Sequence, residues 1–161
     1  KMTPRHDGQL YRVSPWVLVW ENANYYLIAY TEGRLKHYRV DKMQAVHQLP
    51  GTTREGAGEY ANFDVNAYMQ QMFGMFNGPL KRVTLLCENR FAGAMIDRFG
   101  TGPVLVPCAD GEHFTMTAEI QVSPQFFGWV AGFGTGVVVF GPPEVRAEMK
   151  KTLDQLQELY R

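Results

Sequence analysis

Residues 25–40, YYLIAYTEGRLKHYRV, decide the fold of the first part of the chain. Two runs rich in Tyr, Leu and Val, Tyr25–Tyr30 and Leu35–Val40, flank the polar stretch Thr31-Glu32-Gly33-Arg34. Aromatic and branched residues on either side of a short turn that contains Gly are typical of two paired strands. This stretch therefore predicts a β-hairpin.

Strand signals continue on both sides of this hairpin. Turn residues and runs rich in Val, Tyr and Trp precede it, and an apolar run follows it: the turn Asp7-Gly8, the strands Gln9–Ser14 and Trp16–Trp20, the polar turn Glu21–Asn24 and the strand Met43–Leu49. Several short strands separated by turns predict a small antiparallel barrel or a strongly bent sheet. Pro50–Gly58, which contains three Gly residues, breaks the pattern and predicts a loop.

The pattern changes from strand to helix after this loop. Apolar residues between Phe63 and Phe76 recur at helical spacing, and they predict one amphipathic helix. Asn77-Gly78-Pro79 is expected to end it, because Gly commonly follows a helix and Pro cannot continue one. The sequence therefore predicts two domains, residues 1–78 and residues 79–161.

The second domain is predicted to contain both strands and helices, with one further helix at its end. The predicted strands and helices are, in order, Val83–Cys87 (strand), Asn89–Phe99 (helix), Val104–Val106 and His113–Val122 (strands), a helix opened by Ser123-Pro124 that runs to Phe133, Val137–Phe140 (strand) and a helix from Pro142 to Tyr160. Ser123 is expected to be an N-cap, with Pro in the first helical turn. The order βαββαβ is that of a ferredoxin-like arrangement, so the expected fold class is α+β.

Composition excludes several classes of protein. The 161 residues are 45% hydrophobic and 20% charged, which is not the composition of a disordered chain. The longest apolar runs are far shorter than the ~20 residues of a membrane span, and no apolar signal peptide is visible. Two cysteines do not make a disulfide framework, so the cytoplasm is the expected compartment.

Charge is distributed unevenly, although the formal net charge is +0. Residues 1–54 contain eight Lys or Arg residues and four acidic residues, which gives this part +4 and leaves −4 for residues 55–161. A basic region of this kind attracts phosphate groups, but it is also typical of a solvated surface.

Sequence signals for catalysis are weak. Cys87 lies in an apolar strand, where Cys usually behaves as a small hydrophobic residue. The four histidines are scattered, no short Cys/His spacing suits zinc, and Gly132–Gly136 follows a helix, the reverse of the order in a phosphate-binding loop. We therefore expect no enzymatic activity, no metal and no cofactor.

Residue types that bind anions are concentrated in the second strand of the hairpin. Alternation places His37, Arg39 and Asp41 on one face of this strand and leaves Tyr38 and Val40 as its core contacts. Arg presents a rigid fork of donors that suits phosphate, and His adds a donor or a second charge. The same residues also fit an exposed strand face with ordinary ion pairs.

Two further groups of residues could contribute to such a site. Arg12 and Ser14 share one face of an earlier strand and could join the same patch. Aromatic residues are dense nearby; they would suit base stacking, although such residues more often fill a small barrel core: Tyr11, Trp16, Trp20, Tyr25, Tyr26 and Tyr30.

Three motifs in the first part of the chain resemble those of the WYL domain. They are Tyr11-Arg12-Val13-Ser14-Pro15-Trp16, Asn24-Tyr25-Tyr26-Leu27-Ile28-Ala29-Tyr30 and His37-Tyr38-Arg39-Val40-Asp41-Lys42-Met43. Tyr25 stands where the family has the Trp of the Trp-Tyr-Leu triplet that names it. The second half resembles the C-terminal extension that follows many WYL domains, through Ile96-Asp97-Arg98-Phe99-Gly100, Ser123-Pro124-Gln125-Phe126-Phe127-Gly128-Trp129 and Pro142-Pro143-Glu144.

This resemblance implies a fold and a ligand site. It implies a small Sm-like antiparallel β-barrel for residues 1–78, followed by the ferredoxin-like domain with its extra C-terminal helix. The family's basic pocket is typically built from Ser, Tyr, His and Arg. These types map onto Ser14, Tyr26, His37 and Arg39, with Arg12 and Lys42 as neighbouring candidates. The ligand that the resemblance implies is anionic, a single-stranded DNA or RNA or a nucleotide.

The resemblance also implies the function of a bacterial transcriptional regulator. WYL domains usually follow an N-terminal winged helix-turn-helix, and the sequence begins at Lys1 without one, so we expect a C-terminal fragment of a longer regulator. In this interpretation the chain senses the effector and forms a homodimer, and operator DNA is bound only through the missing helix-turn-helix domain. The alternative is a structural dimerisation or interaction module without a physiological ligand.

Overall fold

The computed structural model of the chain describes residues 10–161, so the predicted turn Asp7-Gly8 lies outside the described residues. The chain divides into two compact units, Lys1–Asp64 and Val65–Arg161. The strands are β1 (Ser14–Glu21), β2 (Asn24–Thr31), β3 (Arg34–Arg39), β4 (Leu80–Glu88), β5 (Leu105–Pro107), β6 (His113–Gln121) and β7 (Val137–Gly141). The helices are α1 (Ala57–Ala61), α2 (Val65–Gln71), α3 (Ala92–Phe99), α4 (Pro124–Ala131) and α5 (Pro143–Leu159). None of these helices is long and apolar enough to cross a bilayer.

The first unit contains a three-stranded antiparallel sheet in the order β1-β2-β3. The predicted hairpin is confirmed, since Thr31 pairs with Arg34 across the turn Glu32-Gly33. Both turn residues have positive φ, 50° and 78°, as the tight turns that match strand twist require. β1 contains a bulge at Trp16 and runs as one strand from Ser14, so the predicted separate strand Gln9–Ser14 is not formed over its described part.

The chain after β3 differs from the prediction. Met43–Leu49 forms no strand, because its apolar side chains find no buried face: Val46 and Leu49 are exposed. The helix predicted over residues 63–76 is formed only over its first half, since α2 ends at Gln71, and a separate short helix, α1, precedes it. Gly74 and Met75 have φ values of 59° and 61°, a left-handed backbone that cannot continue a helix.

The second unit has the predicted order of elements, β4-α3-β5-β6-α4-β7-α5. Its sheet has the strand order β5-β6-β4-β7, and every pair is antiparallel. Alternate residues of the strands, among them Val83, Leu85 and Met116, bury one face of the sheet in the core. The predicted N-cap is confirmed, because the Oγ of Ser123 accepts a hydrogen bond from the backbone N–H of Phe126 at 3.3 Å.

Gly78 is required by a close approach of two backbone segments. A Cβ atom at this position would lie 1.7 Å from the carbonyl oxygen of Val122, at the end of β6. The two segments are also hydrogen-bonded, since the N–H of Val122 donates to the carbonyl of Pro79 at 3.0 Å. The predicted role of Gly78 as the end of a helix is wrong, because α2 already ends at Gln71.

Candidate anion-binding site

The first sheet places four of the predicted site residues on one face. Tyr26 is the cross-strand partner of Arg39, and such partners share a face of an antiparallel sheet. Ser14 pairs with Tyr30, which lies on the same side of β2 as Tyr26 because side chains alternate. His37 lies two residues before Arg39 in β3 and shares its side.

The sequence predicts that this face is the open side of β3, but in the structure it is the side that carries buried residues. Tyr26 and Ile28, which lie on the same side as Arg39, are buried. Val40, predicted to contact the core, is 37% exposed and belongs to a 3-10 turn, Val40–Lys42. The prediction was wrong because β3 ends at Arg39, so strand alternation does not extend to Val40.

The guanidinium of Arg39 is held at the end of β3 by two polar side chains. Its Nε and Nη2 donate to the two carboxylate oxygens of Asp41 at 2.9 Å and 3.0 Å, a bidentate pair. Its Nη2 also donates to Oδ1 of Asn24 at 2.6 Å. The Nζ of Lys42 lies 3.2 Å from Oδ2 of Asp41. The site thus brings two cations to one carboxylate, which leaves these three groups a net charge of +1.

The ion pair changes how both partners titrate. The hydrogen bonds from Arg39 hold the pKa of the Asp41 carboxyl below its ordinary value, and the same bonds raise the pKa of Arg39. A carboxyl with a lowered pKa keeps its favourable pairing above its ordinary pKa and loses it as the pH falls through the lowered value. At neutral pH Asp41 is therefore ionised and occupies the donors of Arg39.

Tyr26 and His37 lie beside this cluster on the same face. Their rings meet edge to face, with centroids 6.1 Å apart and an interplanar angle of 77°. Tyr26 is buried and His37 half-buried. The structure thus brings together Tyr26, His37, Arg39 and Lys42.

Ser14 and Arg12 lie at the other end of the sheet. Ser14 is level with Tyr30, four residues along β2 from Tyr26, a distance of ~13 Å at strand geometry. The Oγ of Ser14 accepts a hydrogen bond from the backbone N–H of Glu55 at 2.9 Å. Nη2 of Arg12 lies 3.4 Å from Oε1 of the same Glu55. These two residues therefore form a second polar group, separate from Arg39.

The loop predicted over Pro50–Gly58 holds this second group in place. The indole Nε1 of Trp16 donates to the carbonyl of Glu55 at 2.9 Å, and the guanidinium of Arg54 lies 3.8 Å from the centroid of the indole. A Cβ at Gly56, which has φ +82°, would lie 2.3 Å from the ring of Tyr30. The loop is thus fixed against β1 and β2 by specific contacts.

Sequence reasoning missed two residues that shape these groups, Asn24 and Glu55. Asn24 was assigned to a polar turn, and Glu55 to a loop. Asn24 stands in one of the WYL-like motifs but is not singled out there, and no motif contains Glu55; only the pairing of β2 with β3 and the path of the loop bring them to Arg39 and Ser14. Spacing within one strand could therefore not have identified them.

Two other kinds of chemistry that the sequence brings up are a reactive cysteine and a metal site. Cys87 is fully buried, and this burial raises the pKa of its thiol to about 12, so the reactive thiolate does not form at neutral pH. Among residues 10–161, no group of three or more His, Cys, Asp or Glu residues could hold a metal ion.

Comparisons with known proteins assign both parts of the chain to known domains. Residues 3–48 match the family model of the WYL domain, and residues 79–157 match that of the WCX domain. No curated protein sequence matches the chain. A solved structure similar to it is proteasome accessory factor B/C (PafBC) of Arthrobacter aurescens, with 19% identity and a TM-score of 0.42 over 88% of this chain and 21% of that chain. The chain thus spans about a fifth of the length of that protein. The two matches show that the chain contains a WYL domain followed by a WCX domain.

Proposed function

We propose that the chain is the effector-sensing and dimerisation region of a bacterial transcriptional regulator. Its effector is anionic, a single-stranded nucleic acid or a nucleotide. The observation that carries this proposal is the guanidinium of Arg39, oriented by Asn24 and Asp41 at the end of a strand with Lys42 beside it. The presence of a WYL and a WCX domain supports the regulatory part of the proposal.

Each residue of the site has a distinct role in this proposal. Arg39 binds a phosphate in competition with Asp41, which occupies the same fork of donors, and Lys42 adds a second positive charge. Tyr26 contributes its hydroxyl group and His37 a ring nitrogen, which carries a second charge when protonated.

The separation of the two polar groups bears on the length of the ligand. Ser14 and Arg12 lie ~13 Å from the Arg39 cluster at strand geometry, too far for one phosphate to contact both. An oligonucleotide is long enough to contact both groups, whereas a mononucleotide contacts one. We therefore favour a short single strand over a mononucleotide as the ligand.

The proposed architecture is an Sm-like barrel followed by a ferredoxin-like domain. For the second domain, the support is the sheet order β5-β6-β4-β7 with antiparallel pairs, and the helices α3 and α4 as its two crossover connections. For the first domain, the support is that β1, β2 and β3 form an antiparallel meander and that β1 contains a bulge.

Dimerisation is proposed to use the WCX part of the chain. Along α5, Val145 is buried, but Leu153, Leu156, Leu159 and Tyr160 further along the helix are exposed. An apolar stripe of this kind on the last turns of a helix is typical of a protein interface. Sedimentation equilibrium tests this part: a dimer that Leu156→Glu dissociates supports it, and a monomeric wild-type chain contradicts it.

Binding of a labelled, short single-stranded DNA, measured by fluorescence anisotropy at ~50 and ~200 mM salt, tests the proposed ligand. We expect binding that weakens steeply with salt, because each neutralised phosphate releases counterions. Duplex DNA and mononucleotides serve as competitors, and we expect both to compete poorly. A folded chain that binds none of these would instead favour the structural module without a physiological ligand.

Replacing Asp41 by Asn is expected to strengthen this binding by about fivefold, the upper range for removing one exposed ion-pair partner. The change removes the carboxylate that occupies Nε and Nη2 of Arg39 and raises the charge of the cluster from +1 to +2. The gain should be larger at ~50 mM than at ~200 mM salt. Asp154→Asn, which removes an equivalent exposed carboxylate that pairs with Lys150 on α5, is the control and should change nothing. Weaker binding by Asp41→Asn would mean that Asp41 orients Arg39 more than it competes for it.

A further inference from the structure

Two exposed aromatic side chains lie side by side at the tip of the β1–β2 hairpin. Trp20 is 59% and Tyr25 55% exposed, and the two residues are cross-strand partners. Their ring centroids are 4.6 Å apart, in an edge-to-face contact at 68°. Of the other aromatic residues of this sheet, Tyr26 is buried and Trp16 stacks on Tyr60. Trp20 and Tyr25 are therefore rings that the sheet does not use for its own core.

Tyr25 is next to two residues of the Arg39 cluster along the chain. Tyr25 stands between Asn24, which accepts a hydrogen bond from Arg39, and Tyr26, the cross-strand partner of Arg39. Because β3 ends at Arg39, the hairpin tip that carries Trp20 extends beyond the third strand. The rings lie on the opposite side of β2 from Tyr26, so a ligand strand that contacts both the cations and the rings has to pass over the end of β3.

We propose that Trp20 and Tyr25 form a base-stacking subsite of the Arg39 phosphate site, occupied by a base of a single-stranded nucleic acid. This inference rests on the proposed function. Sites for single strands combine cations that contact the backbone with aromatic rings on which bases stack, and the stacking tolerates any base because every base has a π face. Leu18, exposed on the same side of the sheet, extends the apolar surface beside the two rings.

The test compares two labelled oligonucleotides of equal length, oligothymidylate and its abasic analogue, which carry the same phosphates. We expect the wild-type chain to bind oligothymidylate about tenfold more tightly, the fold-change that corresponds to stacking of one base. Trp20→Ala and Tyr25→Ala should each lose most of this preference while binding of the abasic strand stays constant. Trp20→Phe should keep it, because a ring remains. Arg39→Ala should weaken binding of both strands and leave the preference unchanged.

The outcomes separate this inference from the proposed function. Equal, salt-dependent binding of both oligonucleotides by the wild-type chain overturns the stacking subsite and leaves the phosphate site standing. If neither strand binds, both proposals fail. A change in sedimentation of Trp20→Ala with an unchanged base preference assigns the rings to self-association and also overturns the subsite. Phe140→Ala, which removes an exposed ring from β7, is the matched control and should alter neither binding nor preference.

Discussion

Replacing Arg39 by Ala is expected to weaken binding of short single-stranded DNA by about tenfold to a hundredfold at ~50 mM salt. This range is typical for the loss of a charge-assisted hydrogen-bonded contact. The substitution removes the donors that we propose bind a phosphate, and it also leaves Asp41 paired with Lys42 alone. The carboxylate of Asp41 then repels the anionic ligand. The loss of affinity should therefore be larger than for a truncation that leaves no carboxylate beside the ligand. Anisotropy titrations at two salt concentrations measure the effect.

Two further variants distinguish the fork of donors from simple charge. Arg39→Lys keeps the positive charge without the bidentate geometry and should recover only part of the affinity. Arg39→Ala combined with Asp41→Asn should bind more tightly than Arg39→Ala alone, because the repelling carboxylate is gone. Arg146→Ala removes an exposed Arg of α5 and should have no effect. Undiminished binding by a folded Arg39→Ala variant would remove Arg39 from the site.

Replacing Gly78 by Ala is expected to destabilise the second unit by about 3 kcal/mol or more, at the upper end for overpacking a rigid site. The new Cβ would overlap the carbonyl oxygen of Val122 at 1.7 Å, and that atom is backbone and cannot rotate away. Relief requires the two segments to part, which breaks the hydrogen bond between Val122 and Pro79 and disturbs the adjoining N-cap at Ser123. Urea unfolding measures the loss, followed through the fluorescence of Trp129 in a chain where Trp16 and Trp20 are replaced by Phe.

The control for this prediction is a Gly→Ala substitution that we expect to stabilise the protein. Gly93 lies exposed in α3, and a Cβ there would meet no atom within 4 Å. Gly93→Ala should therefore raise the free energy of unfolding by about 0.5–1 kcal/mol, since Ala loses less conformational freedom in a helix. If Gly78→Ala behaved like Gly93→Ala, the close approach to Val122 would not be a constraint on the fold.

The second unit could be predicted nearly element by element because its boundaries carry strong local signals. Ser123-Pro124 caps and opens α4, Gly100 with φ 71° follows α3, and Pro143 stands at the start of α5. These residues act through local backbone conformation and capping. They therefore determine where a helix begins or ends, independently of the packing around it.

The sequence-based prediction was wrong for segments whose structure depends on which other part of the protein packs against them. Met43–Leu49 has the composition of a strand, but without a partner that buries Val46 and Leu49 it remains irregular. The same limit applies to the anion site. Alternation identified that His37 and Arg39 share a face, yet it could not show that Asn24 completes the cluster. That information comes from the register between β2 and β3, which no single strand contains.

The extra residue at Trp16 has a consequence for everything that precedes it in the chain. Without it, regular alternation would turn the hydroxyl of Ser14 toward the side of Leu18 and Trp20; with it, Ser14 stands opposite Tyr30, on the side of Arg39. The bulge therefore shifts the alternation of side chains upstream of Trp16 by one residue relative to the hairpin. In a related chain, loss or gain of one residue here would exchange the two sides of the sheet for all upstream side chains, without altering the identity of any of them.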